Sequence, residues 1–93
     1  QDISNWNTSN VINMSNMFRD AKSFNQDIST WDTSKVRYMS YMFNNASSFN
    51  QDLSQWCVSK ITSLPSLFYN TPDWTEPKPV WGTCPRGENV EVV

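Results

Sequence analysis

A gapless period of 25 residues constrains this chain more than any other feature in it. Gln1-Asp2-Ile3-Ser4-Asn5-Trp6 returns as Gln26-Asp27-Ile28-Ser29-Thr30-Trp31 and again as Gln51-Asp52-Leu53-Ser54-Gln55-Trp56. The alignment then runs on through Val11, Val36 and Ile61, through Met14, Met39 and Leu64, and through Met17, Met42 and Leu67. Phe18, Phe43 and Phe68 follow, and Phe24, Phe49 and Trp74 close the unit. A period held at apolar, aromatic and polar positions alike marks a stack of like units, none of which buries its own apolar face alone. The units are residues 1–25, 26–50 and 51–74, with 75–93 left as a C-terminal cap and tail.

Within a unit the apolar spacing changes. From Val11, the residues Met14, Met17, Phe18 and Ala21 follow a helical stripe, and Thr8-Ser9 and Thr33-Ser34 stand ahead of the stripes as N-caps. This predicts helices over 9–21 and 34–46. Between them, the run from Phe24 to Ser29 alternates more nearly by two and predicts short parallel strands near 2–4, 27–29 and 52–54. One strand and one helix per unit give an α/β repeat, a right-handed, leucine-rich-repeat-like solenoid of about three coils with a C-terminal cap. Ile28 stacks on Ile3 and Trp31 on Trp6, so that the Met, Phe and Trp columns form the core and Trp31 is buried. The third unit departs from the pattern at Cys57-Val58 and at Pro65, so its helix is interrupted before Pro65.

The stack is expected to end after Trp74. Pro77 and Pro79 cannot donate ladder hydrogen bonds and blunt an edge, while Trp81 opens a fourth coil that Gly82-Thr83-Cys84-Pro85 closes. The tail from Arg86 to Val93 shows little pattern beyond Val90, Val92 and Val93. In register Gly82 lies over Cys57, which puts Cys84 one coil up and two residues along, about 5 to 8 Å away and within reach of a disulfide. The Cys57–Cys84 bridge points to secretion. At the other end, the Ile3 and Trp6 layer carries the residues of an interior copy and no polar cap. Further copies or another chain are therefore expected to cover it.

Composition narrows the function. A net charge of −2 with seven dispersed Lys and Arg residues argues against a nucleic-acid partner, and no apolar run is long enough for membrane insertion in this segment. The absence of histidine removes the commonest general base and, with two cysteines, leaves no zinc site. Asp2, Asp27 and Asp52 form a carboxylate column flanked by Ser4, Ser29 and Ser54. Because it repeats in every copy it reads as structure, whereas catalysis needs one asymmetric constellation. The chain is therefore expected not to be an enzyme and to hold no cofactor. Each Asp is expected to accept from the turn around it, in preference to a calcium ladder, which would want more carboxylates per unit. Asn25 and Asn50 suggest an amide ladder. Asn7, Asn13 and Asn45 open N-glycosylation sequons, an expected by-product of an Asn- and Ser-rich repeat.

The elements Phe24-Asn25-Gln26-Asp27-Ile28-Ser29, Trp31, Thr33-Ser34, Val36, Met39, Met42-Phe43 and Ala46 together resemble the repeat of the BspA-like and mycoplasma-type lipoprotein surface families, over residues 1 to about 74. The resemblance implies a secreted or cell-surface protein with leucine-rich-repeat-like architecture, sometimes adhesive, and no enzyme activity. The function expected is an extracellular, adhesin-like structural or binding solenoid that recognises a protein or glycan through the face of Asp2, Ser4, Asp27, Ser29, Asp52 and Ser54. The alternative is a self-assembling structural protein whose partners are further copies of itself.

Overall fold

Through the second half of each unit an apolar residue stands at nearly every third position, as in Val36, Met39, Met42-Phe43, Ala46 and Phe49. In the computed structural model, which describes residues 2–85, these residues are buried corners joined by tight turns. The amide of Trp31 donates to Ile28 O at 3.1 Å, Val36 to Thr33 at 3.1 Å, Met42 to Met39 at 3.2 Å, Ala46 to Phe43 at 3.0 Å and Phe49 to Ala46 at 3.0 Å. Each bond closes a four-residue turn, from the amide of one residue to the carbonyl three residues back. Both of its ends point inward, and apart from Asn44 the two residues between them face out.

The helices expected over 9–21 and 34–46 do not form, and the described residues contain no helix. An α-helix bonds each amide to the carbonyl four residues back, and here alternate amides leave the unit. Met14, Asn16, Phe18 and Asp20 donate to Tyr38, Ser40, Met42 and Asn44 of the next copy at 2.8, 3.0, 2.9 and 2.8 Å. Asn16 and Asp20 lie at φ 65° and 62°, a left-handed conformation that Asn and Asp tolerate and a right-handed helix does not. The apolar spacing of three was close enough to 3.6 to resemble a stripe. It belongs instead to a chain that turns a corner every third residue.

The strands expected at 2–4, 27–29 and 52–54 are likewise absent, because the amides of Ser4, Ser29 and Ser54 are turned onto the preceding Asp carboxylates. Pairing falls in the other half of the unit. Strand β1, Phe43–Asn44, lies parallel to β2, Tyr69–Asn70, with Phe43 opposite Tyr69, and Asn13 bridges Tyr38 in the same sense. Between Asn13 and Tyr38 the offset equals the sequence period. Between Phe43 and Tyr69 it is one residue longer. Left-handed backbone marks the same slip, passing from Asn16 to Tyr41 in step with the period but arriving one residue late at Leu67. Pro65, which has no amide to offer the ladder, lies in the slipped segment. As a result Leu64 and Leu67, aligned with the buried Met39 and Met42, turn outward and are 60% and 51% exposed.

Successive copies pack through aromatic columns. Phe18, Phe43 and Phe68 follow one another at centroid separations of 5.5 and 5.3 Å, and Phe24, Phe49 and Trp74 at 5.6 and 4.9 Å. Trp31, 2% exposed, stacks on Trp6 at 6.1 Å. Its indole N–H donates to Ile3 O at 3.1 Å, as that of Trp56 does to Ile28 O at 3.0 Å. Buried indoles stabilise most when the N–H is satisfied, and this bond also fixes each copy over the one before. The whole is a compact body of 42 × 29 × 22 Å with almost no regular secondary structure.

At the C-terminal end, Leu53 donates to Pro77 O and Val58 to Thr83 O, so the segment lies over the third copy. Lys78 lays its ammonium over Tyr69 and Trp74 at 4.8 and 4.9 Å and donates to Trp74 O at 3.0 Å, covering aromatic surface that the next copy would otherwise bury. Gly82, at φ 80°, returns its amide to Val58 O. Two residues later Cys84 joins Cys57 in a disulfide, with Cα atoms 3.9 Å apart. The tail from Arg86 to Val93, with its Val90, Val92 and Val93, lies outside the described residues.

Candidate binding face

The Asp column is built by local hydrogen bonding. Asp2, Asp27 and Asp52 accept on Oδ1 from the amides of Ser4, Ser29 and Ser54 at 2.9, 3.0 and 2.9 Å, and Asp52 also from Ser54 Oγ at 2.7 Å. A carboxylate bonded to the amide two residues on fixes a tight bend without help from a neighbour. These bonds favour the charged form and hold all three carboxyls below the ordinary carboxylate range. At Asp2 the backbone amide of Ser4 contributes most, and at Asp27 and Asp52 the hydroxyls of Ser29 and Ser54 do. The negative charge of Asp27 opposes the effect slightly at Asp52. Among the described residues, no three carboxylates or thiols gather in a metal-holding group.

Between these bends lies an open groove of about 700 Å³, walled by Asp2, Ser4, Asn5, Gln26, Asp27 and Thr30. A smaller one, about 270 Å³, continues along Ser29, Thr30, Asp52 and Gln55. The face named in the sequence therefore lines a surface that crosses copy boundaries. Ser54, a turn donor, is not part of either wall. Gln26, whose column repeats with the Asp and Ser columns, lines it and is fixed by accepting from Ile3 N at 2.9 Å; Asn5, Thr30 and Gln55 line it too, although the sequence did not single them out. The signal for these three was present in the variable column Asn5, Thr30 and Gln55, where the units differ while the bend around them does not.

The sequon asparagines take different places. Asn7 and Asn13 make the same bend as the Asp column, accepting from Ser9 and Ser15 amides at 3.1 and 2.8 Å, and Asn45 donates to Asp20 at 3.0 Å. The expected amide ladder is present. Asn25 Oδ1 accepts from Asn50 N at 2.7 Å, and Asn50 Oδ1 from Thr75 N at 2.7 Å and Glu76 N at 2.9 Å.

A family model described as "Mycoplasma protein of unknown function, DUF285" matches residues 1–90. The chain belongs to the DUF285 family. The DUF285 match spans all three copies and the segment that carries Cys84. No curated protein and no solved structure matches this DUF285 chain.

Proposed function

We propose that the chain is a right-handed solenoid of three coils, displayed outside the cell, that binds a protein or glycan and does no catalysis. The observation that carries this reading is the open polar groove along Asp2, Gln26, Asp27 and Thr30 and its continuation past Asp52 and Gln55. Carboxylates and amides held by their own turns present acceptors and donors at fixed spacing, the chemistry that orients hydroxyl-rich ligands and peptide backbones. The repetition of the carboxylates argues for recognition over acid–base chemistry. The Cys57–Cys84 bridge supports an oxidising compartment.

Thr30 lines both grooves and is exposed, so Thr30→Lys blocks the face without touching the fold. On arrays of glycans and of extracellular proteins, the chain should retain a specific ligand, with Thr30→Lys reducing retention at least about tenfold. Equal retention by the variant, or none by either protein, would remove this reading. Consumption of an arrayed glycan would replace it with an enzyme. The alternative, a structural protein that assembles through its repeat, is favoured by one observation: the apolar end of the first copy.

A further inference from the structure

Every copy bonds its neighbours with the same polarity. Amides of the first copy donate forward to Tyr38, Ser40, Met42 and Asn44 O, and amides of the second donate forward to Ser66 and Phe68 O. In return, Arg37 and Tyr38 N both reach back to Ile12 O. By the same register, the backward-facing edge of the first copy carries the carbonyls of Asn13, Ser15, Met17 and Arg19 and the amides of Ile12 and Asn13. None of these groups is bonded by another main-chain group among the described residues.

The side chains of this end tell the same story. Trp6 is 50% exposed, whereas Trp56 in the same column is fully buried. Met17 is 38% exposed where Met42 is buried, and Val11, Ala21 and Phe24 are half-buried where Val36, Ala46 and Phe49 are sealed. The face thus combines an apolar layer with a row of alternate acceptors and a pair of donors.

We infer that this end is a docking surface for one further 25-residue unit of the same pattern. The occupant must bring amide donors at alternate residues, one carbonyl for Ile12 and Asn13, another for the Trp6 indole, and large apolar residues in phase. The first copy brings that whole set to the second, and the second brings its amides to Ser66 and Phe68 O and the Ile28 carbonyl to the Trp56 indole of the third, so the proposed contact continues an interface already present in the stack. A second whole chain does not complete it. Face to face, two chains oppose carbonyl rows, and the far end of each is closed by Pro77, Lys78 and Pro79.

The inference rests on the stacked-coil reading and is independent of any ligand on the Thr30 face. Its test is the full chain with one added copy of residues 26–50 joined ahead of Gln1, beside a control in which the added copy carries Trp31→Ser, Met39→Ser and Met42→Ser. The added unit should slow hydrogen exchange at the Ile12 and Asn13 amides at least about tenfold and shield Trp6 from a soluble quencher. The control should do neither. Unchanged exchange and quenching with the intact added copy would overturn the proposal. So would a concentration-dependent dimer of the unextended chain that protects the same amides, since the occupant would then be a second chain.

Discussion

Asp27 accepts the amide of Ser29, and its carboxyl is held below the ordinary value by that contact, so bend and charge are linked at a single side chain. The same holds at Asp2 and Asp52. Because their folded values lie below the 3.8 of a free carboxyl, the unfolded chain binds protons more tightly than the folded one in acid. Their contribution is complete above the free-carboxyl range and is lost as pH falls through the lowered folded values. Melting temperature should therefore drop below about pH 4. Asn supplies the same Oδ1 acceptor without titrating, as Asn7 and Asn13 already do. Asp27→Asn with Asp52→Asn should flatten the acid limb while leaving the neutral-pH fold unchanged. An acid limb as steep as that of the parent would show that these bends are not its source.

At the scale of the turn and the ladder, the sequence and the structure differ most instructively in the third copy. Met39 is fully buried, whereas Leu64, one period on, faces solvent because the backbone has slipped past Pro65. Met39→Ala should cost about 2 to 5 kcal/mol and Leu64→Ala no more than about 0.5 kcal/mol, both read from urea denaturation; comparable losses would mean that Leu64 is packed after all. Which columns touch was legible from the period alone, since stacking puts like on like. Hence the Trp31 burial, the Cys57–Cys84 bridge and the Asn25–Asn50 ladder all appear in the structure. The path of the chain within a unit was not legible. Apolar positions three apart satisfy a helix loosely and a chain of tight turns well, and what separates them is left-handed backbone at Asn16 and Asp20, which composition permits but does not announce. The groove was legible only in part: the Asp and Ser residues stood out by repetition, whereas Thr30 and Gln55 vary between copies and so escaped a reading built on sameness.

At the scale of the molecule, the stack is closed at one end by a cap tied covalently to the last copy. The bridge between Cys57 and Cys84 spans a sequence separation of 27, and loop-entropy reasoning gives it about 3 to 4 kcal/mol. It also gives the molecule a mechanical grain. Pulled from its two ends, the chain surrenders length only from residues outside the closed loop, so the first two copies peel away while the third and the segment over it carry the load through sulfur. Stretched in an oxidising buffer it should yield about 90 Å less contour length than after reduction, a difference that single-molecule extension measures directly. Equal lengths in the two buffers would mean that the bridge is not formed. Held at both ends, the chain would thus fail gradually and in a fixed order, keeping its last copy folded longest under tension.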